Sequence, residues 1–161
     1  MPVLSPKEVA DLYRKRAKNY DISACLYYLI GFRLHHYRVL TIDSLDIKKG
    51  DTVVELGCGT GLNFPLLQQK IGKEGKIIGV DITDKMLEKA EKWVKKNNWE
   101  NVELVHCDVS QYNIPKGVGA VFSTFALTLS PDYDKVIRNC SESLSKVVEL
   151  QFLISKCRMI T

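Results

Sequence analysis

Three acids and a run of glycines are the residues of this sequence whose types and spacing could do chemistry. In Glu55-Leu56-Gly57-Cys58-Gly59-Thr60-Gly61 an acid stands two residues before the first of three alternating glycines. Glycines at a strand-to-helix turn let the backbone bend tightly and approach a ligand with no side chain in the way. The helix that follows offers unpaired N–H groups to a polar or negative group. Asp81 lies twenty residues beyond Gly61, where a carboxylate can accept from both hydroxyls of a ribose. Asp108 follows the next strand and can accept from an adenine amino group while Val109 packs on the ring.

Each feature taken singly has a plainer explanation. A glycine turn can be purely structural, and either aspartate can simply cap the segment behind it. Together they are more specific, because all of them fall at the C-terminal ends of adjacent strands, where open α/β sheets bind ligands.

The elements that must position them follow from patterning. Ser5-Pro6-Lys7-Glu8 reads as a capping box with proline in the first turn, opening a helix through Val9, Leu12, Tyr13 and Arg16. A second, more apolar helix is expected over about 24–45, with Gly31 as a possible break. After the turn at Lys48-Lys49-Gly50-Asp51 the rhythm changes to alternating strands and helices. Strands are expected at Thr52–Leu56, Lys76–Val80, Val102–Val105 and Ala120–Phe122. The second is apolar enough to be buried on both faces. Helices are expected at Leu62–Ile71 (stopped by Gly72), after a Thr83 cap with Met86, Leu87, Ala90 and Val94 inward, and from Pro131 at a first-turn position. Strands separated by such helices imply right-handed crossovers and a parallel sheet.

Two cofactor classes use this layout. The dinucleotide fingerprint of an NAD-type oxidoreductase asks for glycine where Leu62 stands, which counts against that alternative. An acid followed by alternating glycines instead resembles the first motif of class I S-adenosylmethionine-dependent methyltransferases. Tyr20-Asp21, Gly31-Phe32-Arg33 and Tyr37-Arg38 resemble the helical lead-in of the ubiquinone/menaquinone C-methyltransferase-like group. Gly61-Leu62-Asn63-Phe64-Pro65, Ala126-Leu127 and Ser130-Pro131-Asp132-Tyr133 look closer to relatives that N-methylate lipid head groups. The likeness runs from about Tyr13 to Leu144.

The resemblance implies a Rossmann-like, doubly wound, mostly parallel sheet over 46–161, preceded by a helical lead-in over 1–45. It also implies S-adenosylmethionine as cofactor and a small-molecule or lipid-like methyl acceptor. Glu55 would act near the methionine end, with Gly57, Cys58, Gly59, Thr60, Gly61 and Asn63 hosting it through the loop. Asp81 and Ile82 would meet the ribose, Asp108 and Val109 the adenine, and Met86 would pack on the adenosine. Tyr20 would close over the cofactor carboxylate, and Ser123 with Thr124 would reach the methionine moiety. His35 and His36 have the right pKa for a base but read as ordinary helix residues, so no catalytic residue is assigned.

The tail departs from this pattern. The resemblance implies a Pro-Gly-Gly-like turn, a fifth strand, another helix and an antiparallel pair after the last helix. The chain instead runs Lys146-Val147-Val148-Glu149-Leu150-Gln151-Phe152-Leu153-Ile154 and on to Thr161. Codons compatible with the tail, read one frame over, can spell Ser-Gly-Gly-Arg-Ile-Ala-Ile-Phe-Asp-Phe-Lys-Met-Pro, so a frameshift near codon 145 is expected. The alternative is an improvised fifth strand within Val147–Ile154. A domain lacking the usual last strands would expose a sheet edge, which invites a homodimer, and leaves a non-catalytic cofactor- or partner-binding remnant as a second reading.

Composition sets the outer limits. Among 161 residues, 45% are hydrophobic and 26% charged, ordinary for a globular protein. No apolar run approaches the roughly 20 residues that cross a bilayer. The five cysteines are scattered without metal or disulfide spacing, which fits a cytoplasmic location and no metal. The net charge of +4 is mild. Its lysines at 85, 89, 92, 95 and 96 interleave with acids as on a solvated helix face, whereas Arg14-Lys15-Arg16 with Lys18 can touch an anionic membrane. No reading motif for nucleic acid accompanies the charge, which argues against such a partner.

Overall fold

The computed structural model describes residues 4–21 and 34–143, and the backbone of 151–153. Helix α1 spans Pro6–Arg16 and runs into a 3₁₀ turn at Ala17–Asn19. The expected capping box forms: the Glu8 N–H donates to Ser5 Oγ, and the Ser5 N–H donates to Glu8 Oε2 at 2.8 Å. Helix α2 spans Leu34–Ser44; the earlier part of the expected helix, with Gly31, lies outside the described residues.

The α/β rhythm then appears as β1 Thr52–Leu56, α3 Phe64–Ile71, β2 Lys76–Asp81, α4 Asp84–Lys96, β3 Val102–His106, β4 Ala120–Thr124, α5 Tyr133–Ser143 and β5 Gln151–Leu153. The strands form one parallel sheet in the order β3-β2-β1-β4-β5. The order reverses between β1 and β4, and the crevice opens at that switch point.

Alternating residues of β1, β2 and β4 feed two cores. Val53, Ile77, Ala120 and Phe122 face one cluster, with Phe64, Leu67 and Ile71 of α3 and Ile42 of α2. Val54, Ile78, Val80 and Val121 face the other, with Val136 and Cys140 of α5. As expected, β2 is buried on both faces from Ile77 to Asp81. Met86, Leu87 and Ala90 of α4 point inward, with Val94 packed at the edge of the core.

Several expectations need correction. Helix α3 starts at Phe64 rather than Leu62, because a turn ending in Phe64 N–H to Gly61 O (3.0 Å) precedes it. Helix α5 starts at Tyr133, two residues past Pro131, with the Asp132 carbonyl accepting from Lys135 and Val136. Thr83 occupies the N-cap of α4, yet its side chain makes no capping bond. No helix joins β3 to β4; residues 107–119 are irregular. Residues 122–124 of β4 pair with β5 at 151–153, inside Val147–Ile154, where the alternative reading puts an improvised fifth strand. Residues 144–150 and 154–161, where the frameshift reading falls, lie outside the described residues.

Candidate active site

The site begins with the end of β1. Gly57, Gly59 and Gly61 all take positive φ (73°, 56° and 80°), a region closed to most side chains. They differ in what surrounds them. A Cβ on Gly57 would meet the Ala126 Cβ at 2.3 Å, whereas one on Gly59 would meet nothing within 4 Å. Gly57 is therefore a packing glycine, and Gly59 leaves a free surface. The loop is pinned to β2 by Gly57 N–H and Cys58 N–H, both donating to Val80 O at 2.7 and 3.0 Å.

Asp81, at the end of β2, holds two backbone donors: Gly59 N–H on Oδ2 and Thr83 N–H on Oδ1, each at 2.8 Å. The same carboxylate lines the cleft. Burial raises its pKa, opposed by those two N–H groups. Asp108 lies two residues past β3, and its Oδ1 accepts from Ser110 N–H at 2.9 Å. Both aspartates thus do the capping work of the plainer reading and also present carboxylate to the cleft.

The cleft is half open to solvent and is walled by α1, the glycine loop, the ends of β2 and β3, and the segment after β4. Of the predicted residues it gathers Tyr20, Gly57, Cys58, Gly59, Thr60, Asp81, Ile82, Met86, Asp108 and Val109. Tyr20 packs on Tyr13 with ring centroids 6.2 Å apart, and burial raises its phenol pKa. Thr124 also lines the cleft, but Ser123 does not; its hydroxyl is buried and without a partner. His35 and His36 are exposed on α2 and do not line it.

Glu55, Gly61 and Asn63 lie behind the cleft rather than in it. Glu55 is 1% exposed. Asn63 Nδ2 donates to Glu55 Oε1 at 2.5 Å and to Thr124 Oγ1 at 2.9 Å. Glu55 Oε2 has no partner. Burial pushes the Glu55 carboxyl up to about 8, with Asn63 and the Arg38 charge working the other way.

Arg38 is the residue the sequence reading missed as a site residue. It is 9% exposed, donates from Nη1 to Asn63 Oδ1 and Thr124 Oγ1 (both 3.1 Å), and lines the cleft. Its guanidinium lies 5.3 Å from the centroid of Phe125, a non-glycine residue at φ 61°. Arg38 falls at helical spacing with Thr41, Ile42 and Leu45, which are buried with it, but the apolar residues Tyr37 and Leu40 beside it point to another face. Pro6, Val9 and Tyr13 of α1, Leu56, Leu62, Thr83, Phe125–Leu127 and Leu129–Pro131 complete the cleft wall. Among the described residues no group of three or more His, Cys, Asp or Glu is placed to hold a metal.

Comparison with known proteins agrees with this geometry. A family profile described as a methyltransferase domain matches residues 53–146. Demethylmenaquinone methyltransferase of Listeria welshimeri is 30% identical over 134 residues, 82% of this chain and 56% of that protein. Arsenite methyltransferase of Halobacterium salinarum is 36% identical over 88 residues, 54% of this chain and 22% of that protein. The crystal structure of a SAM-dependent methyltransferase from Aquifex aeolicus superposes with TM-score 0.58 at 24% identity, over 63% of this chain and 55% of that one. The chain spans about half the length of the demethylmenaquinone methyltransferases it matches.

Proposed function

The chain belongs to the class I S-adenosylmethionine-dependent methyltransferases, and from that premise we propose that it transfers a methyl group from this cofactor to a small, apolar or lipid-like acceptor. The observation that carries the reading is Asp81, which braces the glycine loop with one oxygen, the start of α4 with the other, and still faces the cleft.

The residues present fit the cofactor. Gly59 leaves open space where any side chain would project, and Asp81 and Asp108 line the same cleft. Asp81 would take the ribose hydroxyls and Asp108 the adenine amino group. Ile82, Met86 and Val109 would pack on the nucleoside, with Cys58, Thr60 and Tyr20 along the rest of the ligand. Glu55, which burial keeps protonated at neutral pH, would support Asn63 and the loop rather than set a charge against the cofactor's cation. Gly61 and Asn63 then serve as supports rather than contacts.

When bound, the cofactor supplies a methyl carbon already activated by a sulfonium. The protein's task is alignment and exclusion of water. Val9, Leu62, Phe125, Leu127 and Leu129 make much of the remaining wall apolar, interrupted by Arg38, Thr124 and Ser130, which favours an acceptor with an apolar body. Demethylmenaquinone, acted on by the Listeria relative, is of this kind. Peripheral contact with a membrane is part of this reading, and self-association through a sheet edge would use β3 or β5.

The test is transfer of labelled methyl from S-adenosylmethionine to a panel of quinol-like, lipid-amine and water-soluble acceptors. Product only with apolar acceptors supports the proposal. Product only with water-soluble ones refutes the acceptor class, and none at all leaves the binding remnant as the better account.

A further inference from the structure

Helix α4 carries five lysines, and their pairing is uneven. Lys85 pairs with Glu88, Lys95 with Glu91 at 2.7 Å, and Lys89 with Asp21 at 3.1 Å. Lys92 and Lys96 have no acidic partner among the described residues. With Lys89 and Trp93 they stand at i, i+3, i+4 and i+7, one stripe of the helix. That stripe and Asp21 border a shallow surface depression. Trp93 is 41% exposed, with the Lys96 ammonium 5.7 Å from its ring centroid. Lys89 also donates to the Lys18 carbonyl, which brings the basic end of α1 alongside.

An exposed indole flanked by uncompensated lysines has the composition of a membrane-interface anchor: the ring sits at head-group depth and the ammonium groups stay at the surface. The stripe is also joined to the cleft through one residue. Asp21 Oδ2 takes Lys89, and Asp21 Oδ1 accepts from Thr60 Oγ1 of the glycine loop at 2.7 Å. We propose that the Lys89–Lys92–Trp93–Lys96 stripe of α4 docks the protein on an anionic bilayer. This rests on the lipid-like acceptor proposed above, since an apolar acceptor partitions into a bilayer and has to be collected there.

The test uses the full chain and sedimented phosphatidylcholine vesicles with and without phosphatidylglycerol. Binding is expected only with the anionic lipid, weakening as salt rises. Trp93 emission should shift to the blue on binding, a change absent from Trp93→Phe, in which partly buried Trp99 remains. The Lys92→Glu/Lys96→Glu double variant should lose at least about 30-fold in vesicle partitioning, roughly fivefold for each lysine removed. Its melting transition should match the parent's, because neither side chain packs in a core. Equal binding to both vesicle types, or undiminished binding by the double variant, overturns the proposal. So does retention on single-stranded RNA with vesicles refused. The melting shift given by S-adenosylhomocysteine, measured on the same samples, separates the two claims. Vesicle failure with that shift intact sinks the docking surface alone; loss of the shift with vesicle binding intact sinks the proposed function.

Discussion

Glu55→Gln isolates the cost of a buried carboxyl. In the folded chain Glu55 titrates near 8 rather than at its ordinary 4.5, mainly because burial disfavours its charge. The folded state therefore holds a proton that the unfolded state has given up, and stability falls as pH rises from about 4.5 to about 8. Below that window the group costs nothing, and above it the penalty is constant. At about 1.36 kcal/mol per pH unit, the interval corresponds to at most ~5 kcal/mol, already net of the attraction to Arg38. Glutamine keeps an oxygen for the Asn63 donor and removes the titration. Urea unfolding of both proteins from pH 4.5 to 8.5 should show the variant gaining on the parent by about 2 to 5 kcal/mol across the range. Asp81, also raised by burial, adds a slope of the same sign to both proteins and cancels only in part, because its charge is one of those that raise Glu55. Parallel curves would refute the reasoning, for they would mean that Glu55 is charged or solvated throughout.

Two glycines of one loop should fail differently. Gly57→Ala drives a methyl against Ala126 at a positive φ and should cost about 2 to 4 kcal/mol, seen as a lowered melting temperature. Gly59→Ala meets no neighbour, so it should lose only about 1 kcal/mol while its methyl enters the cleft and abolishes the S-adenosylhomocysteine shift. Asp81→Asn sets an amide N–H₂ against one of two backbone donors; cofactor affinity by calorimetry should fall at least about tenfold, with little change in stability because a buried charge is also relieved. Arg38→Met leaves the Asn63 and Thr124 oxygens short of a donor, costing about 1 to 3 kcal/mol. It should also move the Glu55 window to higher pH, since a nearby cation is lost.

Local signals made much of this legible. The capping box at Ser5, the alternating glycines and the period change after Gly50 each rest on contacts within a few residues, and each appears where the sequence puts it. What escaped depends on packing across the chain. Arg38 and Asn63 meet Thr124 from 86 and 61 residues away, and no local pattern announces that meeting. Tyr37 and Leu40 look like the apolar face of α2, yet they are exposed while Arg38 turns inward, because its partners lie beneath the glycine loop. Glu55 and Asn63, expected to serve the cofactor through the loop, stand one layer behind the cleft, a depth that no local pattern gives.

The central claim is that this cleft takes S-adenosylmethionine, and a thermal melt of the 161-residue chain with S-adenosylhomocysteine, with NAD as control, tests it most directly. Ligand at 100 times its dissociation constant should add about 2.7 kcal/mol to the stability of the folded state. A cooperative transition raised by S-adenosylhomocysteine and not by NAD is the predicted result. A cooperative transition that neither ligand moves, or that NAD alone raises, would contradict the account.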